Sequence, residues 1–389
     1  METIRHSIDT PLAVIARPGW LVPAGTIACI GYIGCQHHAT YVLASLVVIA
    51  WGVATSRRQA YLAILVYSLF STWVVVPAIV DYLSWHPVKA VAFWLVSLII
   101  STAPWLLLYR RDCWLLECRL ALLLVITWTP PIGFVQFASP FVGSSLLVGG
   151  FGWVSVAGGL LITGLLIRGI HYRYCRVSSI AMVVLIGVGM LGRAEPIPGW
   201  IDVNTQVKVG GIRHTIEGSL DALRQVKQVA ISKRPRVAVL GESTGGYSVA
   251  AGKSFLRDVT DKTIILAGGR VDEKQALFMW SKGSAENVYN QRVRPILLEI
   301  MDGSIHGNRT AEVDSLKIAP LICYEGSVPY PVASAMQESP EALVALANFH
   351  WSRNDKYFER VLRAHVAAWG RIFSIPTIVA VNRRGTSNV

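Results

Sequence analysis

The sequence predicts a polytopic α-helical membrane domain of about seven crossings, followed by a water-exposed α/β layered domain. Three observations carry that prediction. Charged residues make up only 15% of the 389 residues and hydrophobic ones 53%, where a soluble domain is usually about a quarter charged. The deficit is uneven, because residues 1–193 hold twelve Lys and Arg against five acids and residues 194–389 hold 24 against 19. Long apolar runs fill the first part, whereas strand-like and helix-like stretches alternate in the second. The division is placed between 193 and 194. The net charge of +12 does not read as nucleic-acid binding, since no basic stripe interleaved with aromatics occurs in the second part.

Apolar runs recur at Leu21–Gly34, Ala39–Thr55, Tyr61–Val80, Ala90–Tyr109, Leu120–Ala138, Ser144–Ile167 and Ser178–Leu191. Most approach the roughly 20 residues that a helix needs to cross hydrocarbon. No cleaved signal peptide is expected, because no compact basic region runs into a short apolar core with a cleavage site. Arg57-Arg58, then Arg110, Arg111 and Arg119, then Arg168, Arg173 and Arg176 fall in alternate connections, and the connections between them carry one Lys and no Arg. By the positive-inside pattern the N-terminus is cytoplasmic and the second domain periplasmic, in a bacterial inner membrane. Pro130-Pro131 breaks run five and marks a cavity or re-entrant turn. The glycines of run six, from Gly149 to Gly164, suit close helix packing. His37-His38 lacks a third ligand at a helpful spacing, so no metal is expected, and no cofactor.

In the second part, Pro196–Trp200 is a linker and Ile201–Val209 a first strand. His214–Ile231 has apolar residues at helical spacing. Val237–Leu240, Thr263–Ala267, Pro320–Cys323, Ala342–Ala347 and Thr377–Val381 read as strands, and Asp355–Ile372 as a helix.

The chemistry gathers at two strand ends. Cys323 closes an apolar strand and is the one cysteine after Cys175. It is either a small hydrophobe or a nucleophile that needs a base and oxyanion donors. An unpaired thiol in an oxidising compartment favours the second reading. The stretch after Leu240 admits three readings. Gly246 to Ser254 misses the phosphate-loop spacing by one residue. Gly241-Glu242-Ser243-Thr244-Gly245 fits a serine nucleophile elbow, with His306, His350 or His365 as base, although little chain precedes it for the strands of that fold. Alternatively, Glu242 is a general base for Cys323.

Membrane runs followed by an α/β domain, with Glu242 at an early strand end and Ile322-Cys323-Tyr324-Glu325 later, resemble apolipoprotein N-acyltransferase, the membrane-anchored branch of the carbon–nitrogen hydrolase (nitrilase) superfamily. Ala347–Trp351 resembles that family's N-D-x-W segment. His365–Arg371 and then Val381–Gly385 resemble its helix and closing T-N-N-G. Gly133-Phe134 with Gln136-Phe137 resembles part of its membrane half. Within the superfamily the chain is similar to conjugal transfer proteins of agrobacterial and rhizobial plasmids. The resemblance implies an αββα sandwich, C-terminally shortened against the family. It implies a Glu–Lys–Cys triad, with Glu242 as base and Cys323 as nucleophile. It also implies a membrane lipid or lipopeptide substrate and the conjugal transfer machinery as partner. The family segment Y-x-K-x-H-L-V-P-F-G-E aligns with Tyr289 to Glu299, so Gln291 stands where the lysine is expected. Arg292, Glu299, Tyr324 and Glu325 are supporting residues by the same alignment, and Arg292 or Arg294 is a substitute cation.

Three functions follow. The first is an acyl- or amide-transferring thiol enzyme. The second is a catalytically degenerate membrane scaffold of the transfer apparatus, favoured by Gln291. The third is a serine hydrolase acting through Ser243.

Overall fold

The computed structural model describes residues 18–112, 114–172, 174–192, 195–207, 216–242, 257–271, 274–293, 307–349, 352 and 354–384. Its first part is helical: α1 (Pro18–Gly34), α2 (Ser45–Val53), α3 (Arg57–Thr72), α4 (Val75–Leu83), α5 (Pro87–Leu107), α6 (Leu116–Trp128), α7 (Pro140–Ser145), α8 (Trp153–His171) and α9 (Cys175–Leu191). Ser56 caps α3 by accepting from the Gln59 N–H at 3.3 Å, and Pro87 opens α5 at a position where no N–H is needed. Among the described residues three helical stretches, not seven, are long and apolar enough to cross a membrane: Arg57–Asp81, Pro87–Leu107 and Trp153–His171.

Two of the expected runs are interrupted, each for a local reason. Run five stops at Trp128, and after Pro130-Pro131 a single 3-10 turn covers Ile132–Phe134. Proline cannot donate to a helix ladder, so the chain leaves the helix there. Run six divides into α7 and α8, because Gly149, Gly150 and Gly152 adopt φ of 46°, 87° and 62°, a region that glycine enters without steric cost. These three are turn formers, not the packing glycines of the expectation. Gly159 does serve packing, since a Cβ there would stand 2.3 Å from the Ser144 carbonyl oxygen.

The second part contains two five-stranded sheets. The first has the order β1 (Trp200–Val203), β3 (Val237–Leu240), β4 (Ile264–Val271), β5 (Lys274–Ser281), β6 (Ser284–Asn290). The second has the order β2 (Thr205–Val207), β10 (Thr377–Arg384), β9 (Ala342–Asn348), β8 (Leu316–Ile322), β7 (Ala311–Val313). The single strand expected over Ile201–Val209 is therefore two short strands, one in each sheet. β3, β8, β9 and β10 pair in parallel with neighbours, and their short β-branched and aliphatic runs are buried on both faces as such sheets require. Val239, Leu266, Ile322, Val344 and Ile378 fill the space between the sheets.

Helices complete four layers. α10 (Ile216–Lys233) sets Leu223, Val226 and Ala230 against the outer face of the first sheet, and the short α11 (Arg257–Thr260) lies nearby with Val259 in the same core. α12 (Pro329–Met336) and α13 (Asp355–Phe373) cover the second sheet. In α13 the residues Val361, Leu362, His365, Val366, Trp369 and Ile372 are buried, which is one face at helical spacing. That core does not stop at α13. Ala319, Leu343, Ala345 and Val379 of the second sheet share one apolar cluster with Tyr41, Trp105, Trp128 and Phe141 of the helical part. Trp128 and Trp369 meet edge to face at 5.0 Å. Gly150 and Gly152 donate their N–H groups to the carbonyls of Arg371 and Ile372 at 2.8 and 2.7 Å, so the run-six turn docks on the end of α13.

Candidate active site

β8 delivers Cys323 to the edge of the sandwich, where a 3-10 turn (Cys323–Ser327) begins. Cys323 has φ of 53°, a left-handed conformation that a side-chain-bearing residue adopts only when its surroundings hold it there. The half-buried thiol is hydrogen-bonded to the Glu242 carboxylate, and the backbone N–H groups of Tyr324 and Asn348 are directed at the sulfur. Burial, then the neighbouring Glu242 charge, pushes the thiol well above its ordinary value, and the two N–H groups act in the opposite sense. The thiol therefore keeps its proton at neutral pH until a base removes it.

Glu242 follows β3 and is 7% exposed. It is held from the other sheet: Asn382, fully buried on β10, donates its side-chain amide to the Glu242 carbonyl and accepts from the Thr205 hydroxyl. Gly241 is required at this crossing, since a Cβ there would lie 2.4 Å from Asn382 Oδ1. Asn382 and Asn348 are the positioning groups that sequence reasoning left without a role. Both lay inside segments matched to family motifs, and only the fold brings them beside Glu242 and Cys323.

Gln291, at the end of β6, is 2% exposed and donates its amide to the Ile322 carbonyl at 2.9 Å. It thus sits beside the strand end that carries Cys323. Arg292 does not supply the missing cation there. Its guanidinium donates to Ser334 Oγ at 2.8 Å, the Pro331 carbonyl at 2.9 Å and the Tyr289 hydroxyl at 3.3 Å, which commits it to α12. Arg294, Glu299, Ser243, His306 and His350 lie outside the described residues.

Glu325 is fully buried, two residues beyond the thiol. Its oxygens accept from the N–H groups of Ile322, Arg292 and Val293 at 3.0, 2.7 and 2.9 Å and from the Tyr289 hydroxyl at 2.9 Å. Burial raises its carboxyl, and Arg292 with the three N–H groups pulls the other way. Tyr324 reaches into the helical part, donating its hydroxyl to the Phe134 carbonyl at 2.7 Å. It also lines a cavity of about 140 Å³ together with Thr72, Ile79, Trp94, Ser101 and Phe137. Pro130 and Pro131 themselves do not line it. The ring N–H of His365 is bonded to the Ser327 carbonyl, and the ring packs against Tyr41 and Phe137 at 4.9 and 5.6 Å. Among the described residues no group of three or more metal-ligating side chains occurs.

No family model matches the chain. It is 27% identical to the conjugal transfer protein TraB of Agrobacterium fabrum over 66% of its own length and 65% of that protein's. It is 24% identical to a probable conjugal transfer protein TraB of Sinorhizobium fredii, over 92% of its own length and 97% of the relative's. Similar solved structures include a carbon–nitrogen hydrolase from Helicobacter pylori, 15% identical over 47% of this chain and 72% of that one, with a TM-score of 0.35. They also include a carbon–nitrogen hydrolase superfamily protein from Xanthomonas campestris, 16% identical over 51% and 78%, again with a TM-score of 0.35. The chain is similar to the conjugal transfer proteins TraB, and its neighbours among solved structures are members of the carbon–nitrogen hydrolase superfamily.

Proposed function

We propose that this chain is a membrane-anchored protein of conjugal plasmid transfer that performs thiol-based acyl or amide transfer at Cys323, with Glu242 as its base. The observation that carries the chemistry is the hydrogen bond between the Glu242 carboxylate and a thiol held at φ of 53°. The similarity to proteins named for conjugal transfer supports the setting.

Glu242 takes the proton from Cys323 Sγ as the thiolate forms a bond to an acyl carbon. The tetrahedral adduct then collapses, its C–N or C–O bond breaks, and the leaving group departs with the proton from Glu242. A second nucleophile, an amine or water, attacks the thioester and releases the thiol. Asn382 fixes the base, and the backbone N–H groups at Tyr324 and Asn348 favour the thiolate. The neutral Gln291 amide contributes a dipole where the related family places a charge.

In this reading residues 1–193 form the anchor, crossing the inner membrane from a cytoplasmic N-terminus, and residues 194–389 work in the periplasm. The alternation of arginine-bearing connections supports that topology. The apolar cavity that Tyr324 lines supports a lipid or lipopeptide as acyl donor, with its chain among α3, α4 and α5. A second reading, a scaffold without turnover, is favoured by Gln291 and by the commitment of Arg292 to α12.

Mass spectrometry of protein purified from its native membrane tests these directly. A hydroxylamine-labile acyl adduct on Cys323 is expected, and the lipid mass then identifies the donor. An adduct on Ser243 would move the chemistry to the serine. No adduct, with Cys323→Ala still supporting plasmid transfer, would leave the scaffold.

A further inference from the structure

At the end of the helical part away from Cys323, Arg57, Tyr109, Arg110, Arg111 and Asp112 line an open depression. α3 fixes its place. Arg57 begins that helix, whereas Thr72 at its other end lines the cavity that Tyr324 also lines. At 1.5 Å per residue the two sites stand roughly 22 Å apart along the helix axis, most of the roughly 30 Å thickness of a bilayer's hydrocarbon core. The depression therefore lies at the level where the apolar stretches Arg57–Asp81 and Pro87–Leu107 begin and end.

Its charge is not neutralised from within. Arg57, Arg110 and Arg111 are exposed, and no carboxylate pairs with them among the described residues. The two acids nearby are already engaged: Asp112 with Arg119 at 3.2 Å and Glu117 with Arg168 at 2.6 Å. The loop is also built in advance. Arg119, 9% exposed, gathers the carbonyls of Arg110, Asp112 and Trp114 at 3.2, 2.5 and 2.6 Å. With the backbone carbonyls turned in on Arg119, the side chains of Arg110 and Arg111 are left outward. The first turn of α3 adds the positive end of a helix dipole beside Arg57. Three exposed guanidinium groups beside a helix start, with the one lining acid, Asp112, already paired to Arg119, form a receptor for a phosphate oxyanion.

We propose that Arg57, Arg110 and Arg111 bind a phosphate group, that of an anionic phospholipid headgroup in the leaflet opposite the Cys323 site. The inference rests on reading α3 and α5 as membrane spans and is independent of the thiol chemistry, so an acyl adduct on Cys323 neither supports nor harms it.

The test titrates the full-length chain in detergent with short-chain phosphatidylglycerol, short-chain phosphatidylcholine or inorganic phosphate, reading tryptophan fluorescence. Phosphatidylglycerol is expected to bind and phosphatidylcholine not. The R57Q/R110Q/R111Q variant is expected to weaken binding about a hundredfold, at roughly fivefold for each arginine removed. The R57K/R110K/R111K variant keeps the charge that orients the helices but loses the planar fork, so intermediate weakening at unchanged Tm supports a built site. The control is R176Q, a cation outside the depression. Equal weakening by R176Q, or no preference for phosphatidylglycerol, overturns the proposal. Inorganic phosphate binding as tightly as the lipid, and lost in the glutamine variant, overturns the headgroup as source and leaves a soluble phosphate ligand.

Discussion

Two buried carboxylates meet the stretch around Cys323 on different terms. Glu325 accepts from three backbone N–H groups and a tyrosine hydroxyl and faces a buried arginine. Glu242 is hydrogen-bonded to the thiol and held by its backbone from Asn382. A carboxylate saturated with donors cannot take up a proton without losing several of them, so Glu325 is a clamp that holds β8, β6 and the 3-10 turn in register. A carboxylate bonded to a titratable sulfur has a proton to take. One acid at this site holds the geometry, and the other is hydrogen-bonded to the thiol.

The sharpest way to break that division is Glu325→Ala. It strands Arg292 as an uncompensated buried charge, which costs about 3–5 kcal/mol, so thermal unfolding should shift down steeply or the folded protein should be lost. Glu242→Gln, by contrast, keeps the shape. Acyl-adduct formation should fall by about 100- to 10,000-fold with little change in Tm. Removing the Glu242 charge also removes a cause of the raised thiol, so iodoacetamide should label Cys323 faster at pH 8 in this variant than in the wild type. Slower labelling together with intact acylation would transfer the base to another group.

His365 tests the region between the two parts at a smaller scale. Burial lowers it to about 4, against 6.5 for an ordinary histidine, so the unfolded chain binds its proton first as pH falls. The stability it contributes is present above pH 6.5 and is lost progressively down to pH 4, by roughly 3 kcal/mol. Tm measured at pH 7 and pH 4.5 should show a drop that is reduced in His365→Asn. An unchanged pH slope would remove His365 from the account. Smallest of all, Tyr324→Phe removes one hydrogen bond to Phe134, worth about 1 kcal/mol. It should lower Tm slightly and leave iodoacetamide labelling of Cys323 unchanged, unless that bond also orients the thiol.

The parts of this architecture that were legible in the sequence are those written in one segment's own pattern. α13 shows its buried face as a helical period, and β3 and β9 read as short aliphatic runs. The hairpin of β5 and β6 stayed hidden because Lys274, Gln275, Ser281, Glu286 and Asn287 interrupt its apolar positions at the sheet edge. The Lys282-Gly283 turn, with φ of 46° and 68°, was its one local signal. In the candidate site, likeness to a family singled out Glu242, Cys323 and Gln291, and the structure brings Glu242 to the thiol and Gln291 to the Ile322 carbonyl. The grip of Asn382 on Glu242 was not legible, because it joins residues 140 positions apart through two sheets whose pairing no local pattern encodes. The reach of Arg292 was misjudged for a related reason. Charge alone made it a substitute cation, while Ser334 and the Pro331 carbonyl, far along the chain, decide where it points.

The seamless apolar cluster that runs from the second sheet through α13 to Trp128 and Phe141 has a practical corollary. A fragment cut at residue 194 would present α13 and its neighbours with their greasy side bare. Such a piece would precipitate in plain buffer or demand detergent, even though every one of its own strands were correctly paired.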